Sequence, residues 1–210
     1  MAFSHQPLRR AGLGGVLTYV AGYLLAVGAT AGRVEAVLAV EVSGEYADAH
    51  TLGAVLGPEP SLWTVAGWLF ANAHFVPTSV PSADATRGMM ATTVRNLLDA
   101  VGGPLLLLYL VPVLLLPVAG YLVVRTSTTH GVRGELKTGA SVGLGYGACF
   151  VGGAFLFVAE AASVPVLAGP HGVASIFVAI IYAPLLGALG GHFARYRTEL
   201  EPSEPRRRVE

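Results

Sequence analysis

The sequence predicts an all-α fold, an integral membrane bundle of four transmembrane helices with an interfacial or re-entrant helix in a long extracytoplasmic segment. Three observations carry that reading. Of 210 residues, 53% are hydrophobic and 27 more are glycine. Charged residues make up 12%, against about 25% in soluble domains, and mean hydropathy is +0.62. Uncharged stretches long enough to cross a bilayer, about 20 residues each, recur along the chain. A soluble domain of this size would have too little polar surface to cover itself. The same composition excludes a disordered chain and a nucleic-acid binder with a basic face, and the single cysteine, Cys149, excludes a disulfide scaffold.

The spans are placed at 12–30, 100–124, 138–162 and 173–193, within one membrane domain over 1–194. The first and last carry no charge, the second is the most hydrophobic, and the third holds Glu160 alone. Continuous rather than alternating apolar runs argue against a β-barrel, and open sheet edges cannot be satisfied in lipid. Orientation follows from the basic residues. With the N-terminus inside, Arg9, Arg10, Arg125, Arg133, Lys137, Arg195, Arg197, Arg206, Arg207 and Arg208 face the cytoplasm, and only Arg33, Arg87 and Arg95 lie outside. The expected location is the plasma membrane, with both termini cytoplasmic and 195–210 a disordered cytoplasmic tail.

Two alternatives stay open at this level. Residues 61–76, bracketed by Pro60 and Pro77, form a fifth span if the N-terminus is outside, which places nine basic residues inside and four outside. Arg9-Arg10, an apolar run and Ala29-Thr30-Ala31 also have the layout of a cleavable signal peptide. Between the first two spans, 31–99 is the extracytoplasmic segment. Its seven acidic residues, set against three arginines, leave a net charge of −4. Within it, 33–42 extends the first helix, 57–60 is a turn, 77–84 is a loop, and 85–98 has helical spacing leading into the second span.

Small residues recur every fourth position at Gly139, Gly143 and Gly147, and again at Ala183, Gly187 and Gly191. Each set makes a groove along one helix face where another backbone approaches closely, either within the chain or in an oligomer. Pro104, Pro112, Pro117 and Pro184 break the second and fourth spans, leaving carbonyls without their usual donors. Glu160 lies ten residues past the middle of its span, about 15 Å along the axis, and so near the outer hydrocarbon edge. His171, His74, Asn72 and Trp68 fall on the same outer side and complete a candidate polar site, where Glu and His together have the chemistry of a metal site or a proton relay. The residues commit to neither a metal nor a cofactor.

No phosphate loop, zinc helix or nucleophile elbow is present, so an enzyme is not expected. The stretch Trp63-x-x-x-Gly67-Trp68-Leu69-Phe70-Ala71-Asn72-Ala73-His74-Phe75, followed by a proline-rich, charge-poor loop, resembles a haloarchaeal multi-pass membrane family of uncharacterised function, whose members are loosely labelled transporters. The resemblance points to Trp68, Asn72 and His74 as the first residues to test. Two function classes follow. One is a small permease or transport-associated subunit. The other is a non-transporting scaffold or assembly partner acting through its glycine-rich faces. The expected partners are the lipid bilayer and a second copy or another membrane protein, with no nucleic acid.

Overall fold

The computed structural model describes residues 6–42, 50–81, 92–127, 131–162 and 166–200, with side chains described for 8–194 of these. Four helices are long and apolar enough to cross a membrane: Leu8–Thr30, Gly103–Arg125, Val132–Leu156 and Gly172–Ala194. At 23 residues or more each, they reach about 35 Å, enough for a hydrocarbon core of about 30 Å. Their outward faces are leucine, isoleucine and phenylalanine: Leu17 and Leu24 on the first, Leu114 and Leu122 on the second, Phe155 on the third, Ile180 and Phe193 on the fourth. Such exposed apolar surface is stable only against an apolar solvent.

Each span shows why its sequence boundaries shift. The first helix, α1 (Gln6–Thr30), is built into the bundle, with Ala11 and Ala26 fully buried. It ends at Gly32, whose φ of +73° breaks the expected extension, and a separate α2 (Val34–Leu38) follows. The second span begins at Gly103; Gly102 and Gly103, both at positive φ, detach α5 (Leu97–Val101) from a 3-10 segment at Gly103–Tyr109 opened by Pro104. That segment runs into α6 (Leu110–Arg125), which contains Pro112 and Pro117. The third span starts earlier than expected and stops earlier, as α7 (Val132–Ala140) and α8 (Val142–Leu156). The fourth comprises α9 (Gly172–Phe177), a π-helical turn at Val178–Tyr182, and α10 (Ala183–Leu200), so the helix continues six residues into the expected disordered tail. Residues 201–210 lie outside the described residues.

The fold is not all-α. Two small sheets lie at one end of the bundle. The first is a short ladder of β1 (Glu41–Val42) and β2 (His50–Thr51), leading into α3 (Leu52–Val55). The second is an antiparallel sheet in the order β4-β3-β6-β5, formed by β3 (Thr78–Pro81), β4 (Thr92–Arg95), β5 (Ala159–Glu160) and β6 (Leu167–Pro170). The expected loop at 77–84 therefore contains a strand at Thr78–Pro81. Of the expected helix over 85–98, residues 85–91 lie outside the described residues, and Thr92-Thr93-Val94 is strand, a β-branched run that suits a pleated surface.

This second sheet decides the topology. Thr78 pairs with Pro170 and Ser79 with Gly169, so the segment between spans one and two shares a sheet with the segment between spans three and four. Both segments lie at the same end of the bundle and form one cap. The other ends of the four candidate spans, at Leu8, Arg125, Val132 and Ala194, are therefore at the opposite end.

The short helix α4 (Leu62–Asn72) sits between cap and bundle. It is eleven residues long, about 16 Å, too short for a fifth span. Nor is it an interfacial helix with one wet face, because Val65 through Asn72 are all buried against α1, α8 and the sheet. Ser61 caps its start, accepting from the Thr64 amide at 3.3 Å. Trp63, 54% exposed, is the aromatic that α4 leaves outside.

Candidate functional site

The C-terminal turn of α4 positions the site. The Val76 amide bonds to the Ala71 carbonyl at 3.1 Å and the Phe75 amide to Asn72 at 2.9 Å, the paired bonds of a Schellman ending. Phe75 takes the left-handed position at φ +62°, where glycine is usual. This closure turns His74 inward and leads the chain through Pro77 into β3.

His74 is buried beneath the cap. Its Nδ1 lies 2.7 Å from the Phe70 carbonyl, which only accepts, so Nδ1 carries the hydrogen and donates. Nε2 then accepts from the Tyr146 hydroxyl at 2.6 Å. The ring is enclosed by Phe150 at 4.6 Å, Phe70 at 4.8 Å, and Tyr146 and Tyr182 at 5.7 Å between centroids. Burial pushes the imidazole down to about 4, against the opposing effect of the Phe70 carbonyl bond. It is therefore neutral over the physiological range. The Tyr182 hydroxyl, also buried, has no hydrogen-bond partner among the described residues.

Asn72 and Trp68 use their polar atoms to hold the cap together. Asn72 donates through Nδ2 to the Val76 carbonyl at 2.8 Å and to the Thr78 hydroxyl at 3.1 Å. Its Oδ1 accepts from the Leu97 amide at 2.6 Å and from Leu98 at 3.4 Å, so one side chain ties α4, β3 and α5. Trp68 donates from Nε1 to the Phe157 carbonyl at 2.8 Å. That bond is one reason the third span ends early, because Phe157 leaves the helix at ψ +64° and turns its carbonyl to the indole.

The remaining candidates do not join them. Glu160 lies in β5 rather than in a span; its side chain is exposed, and its carbonyl accepts from the Gly57 amide at 2.9 Å. His171 is the N-cap of α9, accepting at Nδ1 from the Ala174 amide at 3.4 Å. Among the described residues no three His, Cys, Asp or Glu side chains gather in a way that could hold a metal ion. The shared Glu160–His site expected on the outer face is replaced by a His–Tyr pair.

The glycine faces meet each other inside the chain. A β-carbon on Gly139 would strike the Gly187 carbonyl and Gly191, and one on Gly143 would strike Pro184. Gly147 lies against Ala179, and Gly120 of α6 against Gly187. Ala183 is fully buried. These faces pack against one another within the chain. Pro117 presents its carbonyl to Gly190, and Pro184 follows the π-helical turn. Pro112 is buried, near the start of α6.

Tyr146 was not singled out in the sequence because it is embedded in Gly143-Leu144-Gly145-Tyr146-Gly147, where the glycine spacing dominates. The available signal was a large polar aromatic on an otherwise small-residue face. Tyr19, Phe70, Phe150 and Gly153 also line a small cavity of about 10 Å³ beside this pair, which at most admits a water.

A family described as "Family of unknown function (DUF7978)" matches residues 3–198. The chain belongs to that family. The match runs through all four apolar helices and both halves of the cap, so the His74–Tyr146 pair lies inside it. Neither a curated protein nor a solved structure matches the chain.

Proposed function

We propose that the chain is a small permease, or a subunit of one, in the plasma membrane, with both termini cytoplasmic and the two-segment cap outside. The observation that carries this reading is the buried, titratable His74, held between cap and bundle by Tyr146. An ionisable group sunk into the head of a membrane bundle costs desolvation that apolar packing would avoid, and such groups concentrate on ion and substrate paths. A proline inside α6 and a π-helical turn in the fourth span add helix irregularities of the kind found along such paths. The arginine distribution supports the orientation, and the acidic outer segment, in a chain with a single lysine, agrees with a haloarchaeal family. No reaction is assigned to the chain.

The test is solute entry into vesicles carrying the purified protein, followed by light scattering after osmotic challenge with urea, glycerol, ammonium chloride or potassium acetate. Entry of at least one solute faster than in empty vesicles, and slowed by His74→Gln, is the expected result. A co-purifying membrane protein without any solute entry would contradict the permease reading and favour a non-transporting assembly partner.

A further inference from the structure

Among the described residues, His74 is the buried titratable side chain of the cap, and its hydrogen bond to Tyr146 crosses from cap to membrane helix. The groups facing the imidazole are known from each element packed on it. Tyr146 and Phe150 come from α8, Tyr182 from the π-helical turn, and Phe70 from α4 itself. Tyr19 of α1 packs edge-on behind Tyr146 at 5.6 Å. Tyrosines are thus the titratable groups around the ring, and among the described residues no carboxylate pairs with it.

The closed arrangement accepts only the neutral ring. With Nδ1–H committed to Phe70, the Nε2 lone pair is the acceptor for Tyr146. Adding a proton at Nε2 turns that acceptor into a donor. The Tyr146 hydrogen must then leave, and a full positive charge remains in an aromatic enclosure without a counter-ion.

We propose that Nε2 of His74 is a proton-binding site that governs cap opening: when α4 lifts from α8, the ring takes a proton from the outer medium and its charge keeps the cap from closing. In this step the Nε2 lone pair forms an N–H bond, hydronium becomes water, and the Tyr146 O–H···N bond is broken. The ring in water titrates near 6.5 and the enclosed ring near 4, so the closed cap binds fewer protons between those values. Closure is fully favoured above pH 6.5 and weakens as pH falls toward 4. This inference rests on the permease reading only for which compartment supplies the proton.

The chain carries its own reporter. It contains two tryptophans, and both Trp63 and Trp68 belong to α4. Trp63→Phe leaves the fully buried Trp68 as the sole tryptophan, excited selectively over the tyrosines at the red edge of indole absorption. With this variant in lipid nanodiscs, where both faces meet the buffer and no transport is needed, emission and acrylamide quenching are followed from pH 8 to 4. The expected result is a reversible red shift and a several-fold rise in quenching that begins below pH 6.5. Adding His74→Gln abolishes the transition. Should that variant fail to fold, Tyr146→Phe serves instead: losing the donor to Nε2 removes support for the neutral ring, so the transition moves to higher pH. Emission that stays unchanged down to pH 4 overturns the proposal. So does a transition whose midpoint is unmoved by whichever variant folds, since that would belong to the carboxylates of the cap. Solute entry is measured separately, so failure of either account is seen on its own.

Discussion

The hydroxyl of Tyr146 donates to Nε2 of His74 at 2.6 Å, across 72 positions of sequence. One partner belongs to the turn that closes a short buried helix, the other to a glycine-rich membrane helix. The bond thus joins the two parts of the molecule that the sequence keeps apart.

The glycine seam between α7 and α10 leaves no room for a side chain. Gly187→Ala places a β-carbon inside the Gly139 carbonyl and is expected to lower stability by about 1–3 kcal/mol, with Gly139→Leu at or beyond the upper end. Gly152→Ala meets nothing within 4 Å and should be neutral or slightly stabilising. Thermal unfolding in detergent, monitored by circular dichroism, ranks the three.

Phe75 holds a left-handed conformation, and its ring stacks on Tyr109 at 5.2 Å. Phe75→Ala loses the stack and keeps the strain, whereas Phe75→Gly loses the stack and relieves it. Glycine should therefore exceed alanine in stability by about 1 kcal/mol, the reverse of the order at an ordinary helical position. Denaturation curves of the two variants give the sign directly.

Asn72 satisfies two donors and two acceptor positions within the cap. Asn72→Asp removes both donors and turns a carboxylate oxygen toward the Val76 carbonyl. The expected loss is about 2–4 kcal/mol, read as a lower unfolding midpoint. Glu160→Gln, on an exposed strand residue, should leave the midpoint unchanged.

The helices were legible because lipid imposes a length and a composition that a single sequence displays. The glycine and proline positions were legible as well, since their effects are steric and local. The cap was not. Its strands are two to four residues long, too short for a clear alternation, and the pairing of Thr78 with Pro170 joins segments that have no local signal in common. Tryptophans in a charge-poor stretch read as membrane anchors, yet Trp68 is fully buried and bonded to Phe157. His74 and Asn72 stood out as polar residues in an apolar run. Which of them is structural was decided by partners at Leu97, Thr78 and Tyr146, all remote in sequence. Glu160 was misplaced because α8 ends at Leu156, where an aromatic residue, not a charge or proline, stops the helix.

The account depends on a lipid-embedded bundle whose cap faces the outside. With Cys149 replaced by serine, single cysteines at Thr92 in β4 and at Thr126, both exposed, report opposite ends of the bundle. A membrane-impermeant maleimide added to intact cells should label Thr92→Cys and reach Thr126→Cys only after the membrane is opened. Labelling of Thr126→Cys in intact cells, with Thr92→Cys protected, would contradict the orientation and the outer proton site with it.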